Sequence, residues 1–340
     1  MFITKKSKEY IKRKIQLSSK PRILNIEVTN KCNLQCTICP KKDGNTELGF
    51  IDMDFFKKII NENKNVLSGQ AVWLHFSGEP LLHPDLSKII KLLNENNIRT
   101  MLSTNAVLLN KKKSLDLLDA GLDYIVFSVD GYSKEIYENI RIGAKFDEVK
   151  KNILNFLKIK EEGGFKTLTQ VQFVELKTNT KEVKDFINEW KKTDVNHINV
   201  KSFCTRAGRV ENIKNFHLSP DIHKQNIKRR PCFYLWETLI VLWNGKVITC
   251  CQDLKSELIV GDLKKQTLLE IWNSPKLQEI RRRQTKGDFS MEPCAGCGDW
   301  KKHSVFYFGT IYNSFFKKIK EKMFNKIIKD EGINIIINHK

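Results

Sequence analysis

No run of about 18 consecutive apolar residues occurs in the chain, so nothing in it reads as a membrane-spanning helix. The segment from Met1 to Pro21 mixes lysines with scattered apolar side chains and lacks the continuous apolar stretch of a secretory signal. The expected location is therefore the cytoplasm. Acidic residues are also short: 39 Asp and Glu stand against 59 Lys and Arg, a formal charge of +20. The excess gathers before Arg22, in Lys224–Arg230, in Lys276–Lys286 and beyond Trp300. It would attract a nucleotide-sugar, a nucleic acid, an anionic lipid surface or an acidic electron-transfer protein. Solvated Lys-rich faces produce the same balance, so charge alone names no partner. The interleaved aromatic and basic platforms that bind single strands are missing, and no nucleic acid is expected.

Disulfides are not expected either. The chain has nine cysteines, an odd number, and the cytosol is reducing. Metal or cluster ligation is the better starting point. With 340 residues, 41% of them hydrophobic, the chain can bury a real core in one large α/β domain with an appendage, or in two domains.

From Arg22 to about Phe203, short β-branched runs alternate with longer helical patterns. Strands are expected at Ile23–Thr29, Ala71–Phe76, Ile98–Ser103, Asp123–Val129, Thr167–Glu175 and His197–Phe203. Between them lie helices, one N-capped by Asp52 and carrying Phe55, Phe56, Ile59 and Ile60 on one face. Repeated β-then-α units of this length imply a parallel sheet with right-handed crossovers, and ligands then bind at the C-terminal strand ends. Pro231 begins a different stretch, aromatic and β-like over Phe233–Trp243. The tail from Val305 to Ile337 reads as a basic amphipathic helix with Phe315, Phe316, Ile319, Met323, Phe324 and Ile327. Such a stripe packs on its own protein or makes peripheral contact with a membrane surface.

Cys32, Cys36 and Cys39 follow the first strand with Cys-x-x-x-Cys-x-x-Cys spacing. Three thiolates on one loop can hold three irons of a cubane and leave the fourth open for chemistry. A closed zinc site would need a fourth ligand, for which His75 or His83 is available. Here the sequence resembles the radical S-adenosylmethionine (radical SAM) superfamily, from about Arg22 to Phe203. The resemblance implies that SAM chelates the open iron of a catalytic [4Fe–4S] cluster and is reductively cleaved to a 5′-deoxyadenosyl radical. The family usually has an aromatic residue before the third cysteine, where this chain has Ile38. Ser77-Gly78-Glu79-Pro80 resembles the family's Gly-Gly-Glu-Pro loop, which implies that Gly78 and Glu79 help to receive the SAM ammonium. Ser103-Thr104-Asn105 resembles its Thr-Asn-Gly, with Ala106 in place of Gly. By the same resemblance Ser128 and Asp130 approach the ribose and methionine region, and Arg141 pairs with the SAM carboxylate.

The later cysteines give Cys232-x12-Gly245-x4-Cys250, then Cys294-x-x-Cys297. This resembles the SPASM and twitch extensions of radical SAM enzymes, as do Asn244-Gly245-Lys246, Val260-Gly261-Asp262-Leu263 and Ile271-Trp272-Asn273-Ser274-Pro275. A full SPASM domain carries further cysteines beyond the pair, and none occur here. Four ligands suffice for one auxiliary [4Fe–4S] cluster; a four-cysteine zinc site is the alternative. Cys251 neighbours a ligand and is expected to point away. Cys204 follows the sixth strand at the expected barrel mouth, as a free structural cysteine or a hydrogen-atom donor to a substrate radical.

The expected architecture is a partial (β/α)6 TIM-like barrel with a small C-terminal cysteine-rich iron–sulfur domain and a helical tail. Its expected divisions are a basic segment (1–21), the barrel (22–210), a linker (211–230), the auxiliary-cluster domain (231–303) and the tail (304–340). The expected activity is hydrogen abstraction from a substrate carbon, a net oxidation of a sugar-like or other small molecule assisted by the auxiliary cluster. Peptide or protein modification, as a maturase or epimerase, is the alternative. The short segment before the first strand has no room for a leader-binding module, which favours the small molecule. A zinc-stabilised nucleic-acid-binding protein is the distant alternative. A flavodoxin- or ferredoxin-type donor is the implied redox partner. Glu175, Lys201, Cys204, Arg206 and Arg209, at the ends of strands five and six, are the candidate substrate contacts.

Overall fold

The computed structural model describes residues 4–39, 47–204, 207, 216, 229–297 and 300, and the backbone of 334–338. Six parallel strands form its centre: β1 (Arg22–Ile26), β2 (Ala71–Trp73), β3 (Arg99–Thr104), β4 (Tyr124–Ser128), β5 (Leu168–Glu175) and β6 (His197–Ser202). They pair in sequence order and the sheet stays open. Each β-branched run was legible because its alternate residues are apolar. Val72, Leu102, Ile125, Phe127, Val171, Phe173, Ile198 and Val200 all enter one core.

Helices cover that face. Helix α1 (Lys5–Ile11) precedes the sheet, and α2 (Met53–Glu62) and α3 (Lys64–Leu67) follow β1. Asp52 caps α2 as expected, its Oδ1 accepting the Phe55 N–H at 2.8 Å, and Phe56, Ile59 and Ile60 are buried. Next come α4 (Leu86–Glu95), α5 (Lys111–Asp119), α6 (Lys134–Ile140), α7 (Phe146–Glu162) and α8 (Val183–Trp190). Phe127 meets Phe156 of α7 with centroids 5.5 Å apart, and Phe173 meets Phe186 of α8 at 4.9 Å. Alternation along each strand then turns Trp73, Met101, Ser103, Tyr124, Ser128, Gln170, Gln172, His197, Asn199 and Lys201 to the opposite, concave side.

The cysteine-rich region continues the same sheet. Strand β7 (Thr238–Val241) runs parallel to β1, with Arg22 opposite Thr238 and Ile26 opposite Val241. Strand β8 (Lys246–Ile248) returns antiparallel to β7 through a turn with Gly245 at φ +88°, and β9 (Gly261–Asp262) pairs antiparallel with β8. Helices α9 (Leu268–Trp272) and α10 (Pro275–Thr285) place Leu268, Ile271, Trp272, Leu277 and Ile280 in the barrel's own core. The aromatic stretch expected as strand from Phe233 begins instead as a 3-10 turn, Phe233–Trp236.

The tail does not end as the expected helix. Asn334–Asn338 is a strand, β10, parallel to β6 with Ile336 opposite Asn199, rather than the close of a helix. The run Asn-Ile-Ile-Ile-Asn is β-branched at its centre, a composition that favours a strand. Phe315 to Ile327, with Arg206, Arg209 and most of 211–228, lie outside the described residues.

Candidate functional site

The three-cysteine loop is pinned from both sides. Gln35 N–H donates to Ile142 O at 3.0 Å and Thr37 N–H to Ile140 O at 2.9 Å, tying the loop to the end of α6. Asn105 Nδ2 donates to Asn33 Oδ1 at 2.9 Å, tying it to the end of β3. Beneath it, a Cβ on Gly78 would lie 2.3 Å from Thr29 O and 2.6 Å from Lys31 O, so only glycine permits this backbone approach. Cys32 is exposed, Cys39 half-buried and Cys36 buried. Burial raises the Cys36 thiol pKa, and the Arg141 guanidinium, its Nη1 3.8 Å from the sulfur, opposes that rise.

Three thiols on a rigid loop beside a cation suit a cluster with an open iron. A zinc site completed by His83 does not fit. His83 Nδ1 accepts from Asp85 N–H, so Nε2 carries the proton that reaches Ile51 O, and neither nitrogen has a lone pair to offer. His75 Nδ1 accepts the Ser103 N–H at 3.1 Å. No three His, Cys, Asp or Glu among the described residues are grouped to hold a single ion.

The remaining strand-end residues converge around this loop. Asp130 is wholly buried, and its Oδ2 receives Arg141 Nε at 2.8 Å and Nη2 at 2.5 Å. Its Oδ1 accepts the Val174 N–H at 2.8 Å, so one carboxylate joins α6, β4 and β5. Arg141, expected to meet a carboxylate of SAM, is already held by this one, which aims Nη1 at the cluster loop. Burial drives the Glu79 carboxyl pKa up, opposed by its three donors: Asn105 N–H at 2.8 Å, Thr104 Oγ1 at 2.7 Å and Leu81 N–H at 3.1 Å. Glu79 thus fastens the β2 loop to the β3 loop. Ser128 Oγ lies 3.2 Å from Ser103 Oγ on the concave face. Ala106 adopts φ +59°, the left-handed conformation that explains glycine at this place in the family motif.

Cys232, Cys250, Cys294 and Cys297 line one cavity, with Gln252, Gln284, Tyr234 and Arg229. Gln284 bridges two of them, accepting Cys232 N–H at 2.8 Å and donating to Cys294 Sγ at 3.3 Å. Burial pushes the Cys232 and Cys250 thiols up, and Cys294 to about 11, so apo thiols stay neutral until a metal group takes their protons. Four thiols round one shared space are the donor set of a thiolate-held metal group, a cluster or a zinc ion. Cys251 is absent from the cavity wall and packs against the Ile240, Leu242 and Ile248 cluster. Cys204 Sγ donates to Gln252 Oε1 at 3.2 Å, so the end of β6 and the four-cysteine cavity share a wall.

Several residues here had no motif to announce them. Buried Glu27 accepts Ser77 Oγ at 2.6 Å and Trp243 N–H at 3.3 Å, linking the β2 loop to the cysteine-rich region. Gln172 and Asn199 carry only the signal of polar residues alternating with apolar ones. Of the candidate contacts, Lys201 is on the concave face, and Glu175 is buried and accepts from Thr180 Oγ1 at 2.6 Å.

The radical SAM superfamily model matches residues 26–171, and the iron–sulfur cluster-binding SPASM model matches residues 232–298. A tungsten-containing aldehyde ferredoxin oxidoreductase cofactor-modifying protein of Pyrococcus furiosus is 24% identical over 299 residues, 76% of this chain and 83% of the relative. A probable GTP 3′,8-cyclase of Methanococcus maripaludis is 28% identical over 279 residues, 80% of this chain and 84% of the relative. Among solved structures, BtrN in complex with AdoMet and 2-DOIA superposes with a TM-score of 0.58 at 18% identity, covering 83% of this chain and 94% of that one. Streptococcus suis SuiB bound to precursor peptide SuiA gives 0.63 at 18% identity, covering 86% and 73%. At that identity the likeness is one of fold.

Proposed function

The chain belongs to the radical SAM superfamily and carries a SPASM iron–sulfur domain; from that premise we propose that it oxidises a carbon of a small, hydroxyl-rich, sugar-like substrate. When bound, the catalytic [4Fe–4S] cluster and SAM supply a 5′-deoxyadenosyl radical, and the auxiliary cluster supplies an electron acceptor. Cys32, Cys36 and Cys39 would hold the first cluster, and Cys232, Cys250, Cys294 and Cys297 the second. Arg141, fixed by Asp130, presents positive charge toward the methionine end of SAM, and the loop at Gly78 presents backbone carbonyls to its ammonium.

The carrying observation is the row on the concave face. Ser128 is in register with Gln172, and Gln172 with Asn199, while Ser103 lies beside Ser128. Strand positions that enter the core are apolar; these four on the concave face offer hydroxyl and amide groups, which both donate and accept. That chemistry matches a neutral polyol better than an apolar or strongly charged ligand. Net oxidation removes one hydrogen atom, one proton and one electron from the substrate. The Cys204–Gln252 contact, where barrel mouth and auxiliary cavity meet, supports an electron leaving in that direction.

The test is anaerobic turnover with SAM and a reductant, using carbon-deuterated sugars and cyclitols alongside peptides. Deuterium should appear in 5′-deoxyadenosine with a polyol, and the product should be two hydrogens lighter. Deuterium transfer from peptides alone would overturn the reading in favour of peptide modification.

A further inference from the structure

Arg229 is the one charged residue among those described in the wall of the four-cysteine cavity. Its Nη2 donates to the carbonyl of Cys294 at 2.7 Å. Its guanidinium lies 4.2 Å from the Phe289 ring centroid and 5.9 Å from that of Trp300. No Asp or Glu among the described residues pairs with it, and its Nε–H is buried without a hydrogen-bond partner. A buried cationic donor left unpaired is costly, and such a group in a native structure calls for a partner.

We propose that Arg229 donates its Nε–H to a sulfur of the auxiliary [4Fe–4S] cluster and raises the cluster's reduction potential. The reduced form carries one more negative charge than the oxidised form. A fixed cation and a hydrogen bond to sulfur both favour the more negative form, the more so in a low-dielectric cavity. The aromatic contacts and the grip on Cys294 O leave the guanidinium little freedom, so the charge is held at the ligand turn rather than free to reach solvent. Arg229 thus sets how readily the cluster accepts an electron and touches no substrate. The inference rests on these four cysteines holding the auxiliary cluster.

The experiment uses the full chain with Cys32, Cys36 and Cys39 replaced by Ala, so that the remaining iron reports on the auxiliary site alone. Iron and sulfide are counted first. A chain without iron at this stage sinks the ligand assignment, separately from the role of Arg229. A mediated dithionite titration, followed by visible absorption and electron paramagnetic resonance, then compares Arg229, Arg229→Lys and Arg229→Gln. Arg229→Gln should lower the reduced-to-oxidised ratio at fixed potential at least tenfold, about 59 mV for one electron. Arg229→Lys should fall between, since it keeps the charge and loses the planar fork. Equal midpoints in all three overturn the proposal. If Gln alone fails to hold iron, the Lys variant decides by the same comparison. If both fail, Arg229 is a strut for the Cys294 turn and the proposal is wrong.

Discussion

Asp130 and Arg141 show how much one buried carboxylate can organise. Asp130 has no solvent exposure, and it meets Arg141 through two nitrogens and the β5 backbone through Val174 N–H. Replacing it with Asn keeps the shape and leaves a guanidinium buried without its countercharge. Breaking such a pair from one side costs about 3–5 kcal/mol, whereas removing both partners costs less. Asp130→Asn should therefore lower the unfolding free energy of the cluster-free chain by about 3 kcal/mol or more, measured in denaturant. The double variant Asp130→Asn/Arg141→Met should recover part of that loss; strict additivity would show that the two residues are not coupled. The motif order in the sequence made both residues legible. Their partnership was not, because a resemblance assigns each residue a ligand and says nothing of what holds the side chain while it waits. Gly78 was similar: the motif named it, while the backbone of Thr29 and Lys31 behind it explains it.

Helix α1 lies in a segment that read only as basic. Its sequence Lys5–Ile11 is short, and lysines on an exposed face conceal the capping that makes it a helix. Thr4 caps it through the Ser7 N–H at 3.2 Å, and Glu9 turns inward to hold the following chain. The Glu9 carboxylate accepts from Ser18 N–H and Oγ, both at 2.8 Å, and from Ser19 N–H at 3.3 Å and Oγ at 2.5 Å. Burial raises its pKa, and these four donors outweigh that, so the net shift is downward from 4.5. A carboxylate with a depressed folded pKa stabilises fully above its unfolded pKa. That contribution disappears as pH falls through the folded value. Glu9→Gln should cost about 1–2 kcal/mol at neutral pH, since hydrogen bonds to a charged group are worth more than neutral ones. The gap between wild type and variant should close as pH drops below about 4.5. Thermal unfolding at a series of pH values reads this directly, and a constant gap would contradict it.

At the scale of the molecule, the sheet runs across the boundary that composition marks. A polar stretch before Pro231 and clustered cysteines after it read as a linker and a separate domain. Sequence character reports local composition; sheet order depends on which distant strands meet, and that long-range pairing leaves little local trace. The order β2-β1-β7 places the first strand of the cysteine-rich region beside the first strand of the barrel. Two further ties reinforce it. Arg281, fully buried on α10, donates Nε to Leu235 O at 2.8 Å and Nη1 to Ile15 O at 3.0 Å. Trp272 Nε1 donates to Ser19 O at 2.7 Å. A domain joined only by a linker would unfold by itself. Here, losing the four-cysteine region would strip β1 of one of its two neighbours and expose Leu268, Ile271, Trp272 and Leu277, all wholly or almost wholly buried against the barrel. Elements that share a core unfold cooperatively. The cluster-free chain should therefore give one calorimetric transition, with equal calorimetric and van't Hoff enthalpies. Arg281→Met should shift that single transition downward without splitting it. Two resolved transitions, with only the first responding to Arg281→Met, would mean that the shared sheet edge does not bind the two parts into one unit.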